Sequence, residues 1–417
     1  MVLLPILSYG VLRSSRVQTM LAQRVATYLS EELQTSITVG GLDVSFFLNV
    51  VLEDVQVNDQ DEKPLLVTRR MVLDIERISL RPRFLLINKI YLEQAFLGTA
   101  KYSGHEQYNF QFILDYFSPK KDPEARSKWD VICKSLEFNN SGFQLHVQDQ
   151  PLQPTGFDHA HIDIRGFNLA VNDIILDQDT LIFNLEKLSL HSTEDFEITG
   201  LSGKFHIAPD QALVSDVAFH SPLTDLSLDL IMNYEGYVSF SDFVNQVEMQ
   251  LMINDSYLDM ADMGFFLSPM YGMKGRVEVE GDFSGTVSNL KGNDLLLKYG
   301  ASTRFQGGFH LDGLPVLSET FVNFFITEFR SHPDDIVAFQ LPLQAGGSHP
   351  VLPATFHNLG NLSFQGRLTG FVNDFFAQGQ MATDIGRAKA TRQVASKTGR
   401  SCRTSSRRPV SPCFRNG

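Results

Sequence analysis

The feature that most constrains the fold of this chain is an alternation of apolar and polar residues that begins at Ser36 and continues for about 350 residues. In the stretch LLVTRRMVLDIERISLRP, Leu73 and Ile75 fall on one side of the alternation, and Val72 and Asp74 fall on the other. Successive side chains of a β-strand point to opposite faces of its sheet, so this period of two predicts strands with one apolar and one polar face. We name these the dry face and the wet face, and we expect about twenty such strands.

One sheet with that many strands would be long and would expose a large apolar surface. At about 4.8 Å per strand it would extend roughly 100 Å, too far to close as a small barrel. The dry face must then be hidden by curling, by a second sheet or by a bound filling. Two stretches, 239–246 and 256–269, have helix-like spacing instead, and the second could cover one edge of the sheet. We predict an all-β fold, an elongated and curled β-groove of repeated antiparallel strands over residues 36–386.

The alternation also assigns the residues that would line this groove. Long Leu, Ile and Phe side chains recur on the dry face, with few Ala or Gly opposite them. The predicted lining residues are Leu73, Ile75, Ile78, Leu80, Ile162, Ile164, Phe183, Leu185, Leu188, Leu190, Leu226, Leu228 and Leu230. Phospholipid acyl chains would be a sensible filling, because each buried methylene group contributes about 0.8 kcal/mol.

The first residues of the chain suggest a membrane. Residues 2–12 are apolar, but a spanning helix needs about 20 such residues, so residues 1–15 read as a signal-peptide core or as the last half of a membrane anchor. Arg13 and Arg16 follow the apolar run as flanking charges would, and the alternative is a buried N-terminal strand. Residues 16–35 have apolar positions three and four apart, which predicts one amphipathic helix close to the membrane.

Charge is distributed unevenly along the chain. The net charge is −13, yet residues 387–417 contain nine Lys or Arg and no Asp or Glu. The remaining body is strongly acidic, which argues against binding to nucleic acid. The alternation also stops near Lys389, and two explanations stay open: a frameshift near Ala390, so that the tail is read out of frame, or a basic tail that binds anionic lipid.

Two glycine-rich stretches of the chain resemble each other. Gly281 and Gly285 align with Gly366 and Gly370 at a constant offset of 85 residues. A phosphate-binding loop would need a Lys followed by Ser or Thr, or a helix after the glycines, whereas strand-like sequence follows here. We interpret these glycines as ends and bends of strands in an internal repeat.

The chain lacks the common catalytic and metal-binding motifs. No His-Glu-x-x-His, Cys-x-x-Cys or Gly-x-Ser-x-Gly is present, and the three Cys give no disulfide framework. His159, His161 and Asp163 could share one strand face, but without a fourth ligand nearby we interpret them as wet-face residues. Aspartates in turns, as at residues 59–61, could suggest calcium, but no twelve-residue calcium loop is present and Asp commonly starts turns. We predict no catalytic residue, no cofactor and no metal site, and therefore no enzyme.

The order of these features resembles the N-terminal part of the translocation and assembly module family, TamB, of the AsmA-like superfamily, and its Bacteroidetes branch in particular. The features are the apolar N-terminus, the helix RVQTMLAQRVATYLSEEL, the strands TSITVGGLDVSFFLNVVLEDVQVND and LLVTRRMVLDIERISLRP, and the paired Gly-x-φ-[Ser/Thr]-Gly units, where φ is apolar. The resemblance covers about residues 10 to 390, and it depends on the order of motifs that are individually degenerate.

This resemblance implies a function in the bacterial cell envelope. Members of the family are long β-grooves held in the inner membrane by one N-terminal anchor, with the bulk of the chain in the periplasm. They are implicated in phospholipid transport towards the outer membrane and in the translocation and assembly of outer-membrane proteins, with an Omp85-type barrel as partner. Family members are much longer and contact the barrel through a C-terminal domain, which this sequence does not contain.

A second function stays open beside the lipid conduit, namely a structural or adhesive β-repeat protein of the cell surface. A conduit needs an aliphatic and aromatic lining along its whole length, whereas a self-packed groove needs facing positions of complementary size. The long dry-face residues favour the conduit.

Overall fold

The computed structural model describes residues 15–44, 49–117, 129–153, 155–177, 179–192, 196–267, 270–316, 318–342, 347–371 and 374–395. Nineteen strands form one sheet in these residues. The strands are β1 (Ile37–Val44), β2 (Asn49–Asn58), β3 (Pro64–Leu80), β4 (Arg83–Lys101), β5 (Asp130–Cys133), β6 (Leu136–Val147), β7 (His161–Asp177), β8 (Thr180–Ser192), β9 (Glu197–Ile207), β10 (Gln211–His220), β11 (Asp225–Asn233), β12 (Glu248–Asp259), β13 (Arg276–Gly285), β14 (Asn289–Tyr299), β15 (Thr303–Asp312), β16 (Phe321–Ser331), β17 (Leu362–Phe371), β18 (Asp374–Thr383) and β19 (Gly386–Ala395). The helices are α1 (Ser15–Leu33), α2 (Gln111–Phe117), α3 (Phe243–Gln246), α4 (Met260–Phe266), α5 (Pro333–Ala338), α6 (Ala354–His357) and a 3-10 helix (Tyr237–Asp242).

The sheet is long, unclosed and mostly antiparallel, which confirms the predicted fold class. Neighbouring strands pair in chain order, and β1 and β19 lie at its two ends within the part of the chain that the structure describes. One junction differs from the expected antiparallel pattern, because β4 pairs in parallel with both β5 and β6. Parallel neighbours need a long crossover, which residues 102–129 supply.

The strand register produces one continuous dry face. In β11, Leu228 lies opposite Val217 of β10 and Ile253 of β12, and Leu230 lies opposite Leu251. Residues directly opposite each other in a sheet point to the same face, so these apolar side chains adjoin one another. The predicted period of two is therefore matched from strand to strand.

A row of residues with positive φ crosses the sheet, and the register shifts at those in β6, β10, β12 and β14, which marks them as β-bulges. Asp and Asn adopt a positive φ more readily than most residues, and in six strands the residue that follows is buried. The positive-φ residues are Asp54, Gln94, Asn140, Asp216, Asp255 and Asp294, and they lie in β2, β4, β6, β10, β12 and β14. The buried residues that follow them are Val55, Ala95, Ser141, Val217, Ser256 and Leu295. Because a bulge bends its strand and increases the twist, a row of bulges curves the sheet about its long direction.

The two rims of the sheet differ. Helices α4, α5 and α6 lie in connections on one rim, which we name the helical rim. On the opposite rim, which we name the turn rim, β9 joins β10 and β13 joins β14 through only three residues each. The exception on the turn rim is the segment between β11 and β12, which holds the 3-10 helix and α3.

Helix α1 packs along the first strand and corresponds to the predicted helix over 16–35. Ala22 and Ala26 are buried and lie one turn apart on the same helix face. The Gln18 amide donates to the Asp43 carboxylate at 3.0 Å, and the Ile37 N–H donates to Ser30 Oγ at 2.9 Å. In the described ranges, no helix is long and apolar enough to cross a membrane, and residues 1–14 of the predicted anchor lie outside those ranges.

The end of the sheet crosses the predicted domain boundary at residue 387. Strand β19 (Gly386–Ala395) pairs with β18 over its whole length, so the sheet continues into the segment predicted as a basic tail. Residues 396–417 of that segment lie outside the described ranges.

Candidate functional site

The structure places all of the predicted lining residues on the dry face. Ile162 lies opposite Leu145, and Leu188 lies opposite both Leu169 and Leu201. The ring of Phe183 stacks on the ring of Phe205, with centroids 4.7 Å apart. These predicted residues therefore share one face of the sheet from β3 to β11, and their role as a lipid lining stays a prediction.

The dry face is an open apolar surface rather than a closed core. Of the predicted lining residues only Leu185 is buried, at 7% exposed, whereas Ile78 is 50% and Leu80 is 74% exposed. The others are partly buried. Compact clusters of buried residues are small: one lies around Leu92 and Phe138, between β4 and β7, and a second lies around Val247 and Tyr234, at the turn-rim end of β10 to β12. Apolar side chains that cover each other this incompletely leave room for a ligand of similar polarity.

From β13 onwards the dry face carries other residue types than it does in β3 to β12, and one expectation about them was wrong. Glycines, predicted to be scarce opposite large residues, recur on the dry face of β13 to β18. Gly292 lies opposite Phe283 and Phe309, and a Cβ atom added to it would lie 2.7 Å from the Phe309 ring. A Cβ atom added to Gly281 would lie 2.7 Å from the Leu295 side chain, so the missing side chain makes room for Leu295, which is fully buried. These facing positions have complementary sizes, as in a self-packed sheet.

The paired glycines occupy equivalent positions in two hairpins. Gly281 and Gly285 lie in β13, and Gly366 and Gly370 lie in β17, with an antiparallel strand following in each case. All four have positive φ values, which glycine adopts without steric cost. The internal repeat is thus visible as repeated backbone geometry within strands, and no helix directly follows either pair.

Helix α4 covers the helical rim from β7 to β12. The Phe265 ring stacks on Phe196 with centroids 4.6 Å apart, and the Phe265 carbonyl accepts from the Phe157 N–H at 2.7 Å. The Asp262 carboxylate accepts from the hydroxyls of Ser221 and Thr224 at 2.5 and 2.6 Å. The helix predicted within 256–269 is therefore bound to three neighbouring connections and closes this rim of the groove.

Buried aspartates join other connections on the same rim. Asp59 is 2% exposed and accepts hydrogen bonds from the N–H groups of Asp61 and Lys63 and from the Tyr102 hydroxyl, the last at 2.5 Å. Burial raises the pKa of Asp59, but these hydrogen bonds and one from Asn109 outweigh it, so the pKa is lowered. Burial and the Asp59 carboxylate raise the pKa of Tyr102 to about 12. Asp59 thus starts its turn through side-chain hydrogen bonds, as the turn interpretation predicted.

The histidines weighed as metal ligands have other contacts. His161 Nδ1 lies 3.0 Å from the Asp158 carboxylate, which also accepts from the N–H groups of Gln153 and Ala160. The Asp163 carboxylate lies 3.7 Å from the Arg165 guanidinium. Across the described ranges, no group of three or more His, Cys, Asp or Glu side chains is placed to hold a metal ion.

Comparison of the chain with known protein families, with curated proteins and with solved structures found no match.

Proposed function

We propose that this chain is an envelope-biogenesis protein whose dry face holds phospholipid acyl chains. The observation that carries the proposal is the combination of a continuous apolar face with side chains that remain partly exposed along β3 to β12. Water in contact with such a surface is unfavourable, and hydrocarbon would replace it at about 25 cal/mol per Å² of apolar area. The groove would then be filled by its ligand.

We extend the proposal to the location and the partners of this chain, because the order of its sequence features resembles that of the AsmA-like superfamily. In this proposal the N-terminal segment anchors the chain in the bacterial inner membrane, and the sheet stands in the periplasm. Lipid would move along the groove towards the outer membrane. An Omp85-type barrel would be the partner in assembly of outer-membrane proteins, through a region beyond the sheet described here.

A second function is favoured by a specific observation in β13 to β18. The glycine and aromatic pairs there have complementary sizes, as Gly292 and Phe309 illustrate. A structural or adhesive β-repeat protein would show this packing along its entire length. The part of the sheet from β3 to β12 lacks this dense glycine pattern, so we place the lipid-binding stretch there.

Photo-cross-linking at adjacent positions of β11 tests the lipid-binding proposal. Benzoyl-phenylalanine replaces Leu228 on the dry face in one protein and Ser227 on the wet face in a matched control. The full chain is expressed in a Gram-negative host, irradiated in cells and examined by mass spectrometry of the purified protein. We expect a phospholipid adduct at position 228 and none at position 227, because only the first side chain faces the groove.

Each outcome distinguishes the two functions. Lipid adducts at position 228 alone support the lipid-binding groove. A folded protein with no lipid adduct at either position contradicts it and favours the self-packed structural protein. The Leu226→Asp, Leu228→Asp, Leu230→Asp triple variant provides a second measurement, because it should lose lipid that co-purifies with the unmodified chain.

A further inference from the structure

An apolar pocket of about 350 Å³ lies on the dry face beneath α5. The sheet contributes Val277, Leu297, Phe305 and Phe329 to its walls, and the segment of α5 contributes Ile336 and Phe339. The sheet residues lie near the helical-rim ends of β13 to β16. The pocket therefore lies where the dry face meets the helical rim in this part of the sheet.

Helix α5 is held over the pocket by specific contacts. The Asp335 carboxylate accepts from the N–H groups of Ser302 and Thr303, at 2.7 and 2.8 Å, and from the Thr303 hydroxyl at 3.0 Å. The Phe339 ring packs edge-on against Tyr299, with centroids 5.3 Å apart. Pro333 begins the helix, where a missing N–H is tolerated. These contacts fix the roof of the pocket to the neighbouring turn between β14 and β15.

Four of the five polar residues at the pocket wall are already bonded to the protein. Asp335 accepts the hydrogen bonds given above, the hydroxyls of Thr303 and Ser331 lie 2.8 Å apart and bond each other, and the Lys298 ammonium donates to Glu278 at 2.7 Å. The fifth, Tyr299, packs its ring against Phe339. The rest of the wall is apolar, so the chemistry of the pocket selects hydrocarbon.

Above the pocket the dry face continues towards the turn rim. In β16 Phe324 lies on the same face as Phe329, and its ring centroid lies 6.3 Å from that of Phe305 in the pocket wall. Val322 lies on this face nearer the turn rim, roughly 20 Å from Phe329 along the strand. At the other end, α5 and the turn at 301–303 close the helical rim. A hydrocarbon chain that lies along the strands on the dry face therefore meets α5 and this turn at the helical rim.

We propose that the pocket receives the methyl end of a single acyl chain, which then runs along the strands towards the turn rim. This inference rests on the proposed lipid-binding function and adds an orientation to it. The headgroup of this lipid lies at the turn rim, and its chain lies across the long direction of the sheet. The pocket is a separate, saturable subsite within the half of the sheet that is otherwise self-packed.

Tryptophan quenching by brominated stearate tests this orientation. The full chain contains one tryptophan, Trp129, which is replaced by Phe to give a silent background. Phe329→Trp then reports on the pocket, and Val322→Trp is the matched control on the same strand and face, at the turn-rim end of β16. The probes are stearate brominated near its methyl end and stearate brominated near its carboxyl end.

We expect the methyl-end probe to quench most of the fluorescence of the Phe329→Trp variant and little of the Val322→Trp variant. The carboxyl-end probe should quench the Phe329→Trp variant less than the methyl-end probe does. Ile336→Phe, which fills the pocket from its roof, should abolish the quenching at position 329. Circular dichroism of each variant establishes that the sheet is intact.

The measurements distinguish an incorrect pocket proposal from an incorrect lipid-binding proposal. Equal quenching at position 329 by both probes overturns the orientation. No quenching at position 329 overturns the pocket alone if the cross-linker at position 228 still captures phospholipid. Absence of lipid at both positions overturns the proposed function together with the pocket.

Discussion

At the scale of single residues, the left-handed Asp and Asn residues of the bulges determine where the strands bend. Asp294 has a φ of 50°, is exposed, and precedes the fully buried Leu295. Glycine accepts this conformation freely, whereas a β-branched residue is strained there by about 1–3 kcal/mol. We therefore expect Asp294→Val to lower the urea midpoint clearly and Asp294→Gly to leave it nearly unchanged, as measured by circular dichroism.

Lys291 supplies the control for this prediction. It lies in the same strand, is exposed, and its φ is not among the positive values. Val is favoured in extended strands, so Lys291→Val should be neutral or slightly stabilising. If Asp294→Val and Lys291→Val shift the urea midpoint equally, the backbone conformation at the bulge does not determine the loss of stability.

The sequence predicted the sheet face of each strand residue better than it predicted the positions of the bulges. Leu226, Leu228 and Leu230 follow the period of two without interruption, so their common face could be read directly. At a bulge one extra residue shifts the alternation by one, and pairs such as Asn254-Asp255 then look like turn signals. The complementary glycine and aromatic pairs were missed because they form across strands, and pairing is not visible along a single strand.

At the scale of elements, buried aspartates hold the connections of the helical rim together. Hydrogen bonds to Asp59, Asp158 and Asp335 stabilise the charged carboxylates and lower their pKa values, although burial alone would raise them. A lowered pKa in the folded state means that these groups stabilise the fold fully above their unfolded pKa. That contribution is lost as the pH falls through the lower folded-state values, below the ordinary carboxyl value of 3.8.

We therefore expect the urea midpoint to decrease as the pH is lowered from about 5 to about 3. Asp335→Asn removes one titrating group and should lower the midpoint at pH 7 while making its pH dependence shallower. Asp334→Asn is the matched control, because Asp334 is the adjacent residue and its side chain is 76% exposed. A midpoint that is constant over this range, or a pH dependence unchanged by Asp335→Asn, contradicts the assigned role.

The sequence predicted the strands and α4 but not how the connections are distributed between the rims. Helix α4 could be found because its apolar spacing changes from two to between three and four residues. The parallel junction of β4 with β6 could not be found, because alternation is the same in parallel and antiparallel strands that have one wet face. That junction interrupts the alternation of strand directions, and so determines which connections share the helical rim.

At the scale of the whole molecule, each strand contacts its neighbours in the sheet and little else. The pairs of strands that pack together are consecutive along the sheet from β1 to β19, apart from the junction around β5. A sheet of this kind resembles a one-dimensional array, in which stability is a sum of local contributions and interfaces between neighbours. The chain should therefore not unfold as a single cooperative unit.

Hydrogen exchange of two core variants tests this local stability. Leu295 in β14 is fully buried and Leu92 in β4 is 3% exposed, so substitution of either by Ala should cost about 2–5 kcal/mol. We expect Leu295→Ala to increase amide exchange in β13 to β16 and to leave β2 to β7 protected, and we expect Leu92→Ala to do the reverse. Each variant thus serves as the control for the other, with exchange measured by mass spectrometry of peptides from the full chain. Loss of protection along the whole sheet in both variants would show instead that the two halves fold as one unit, in which case a lipid bound in one half would stabilise the other.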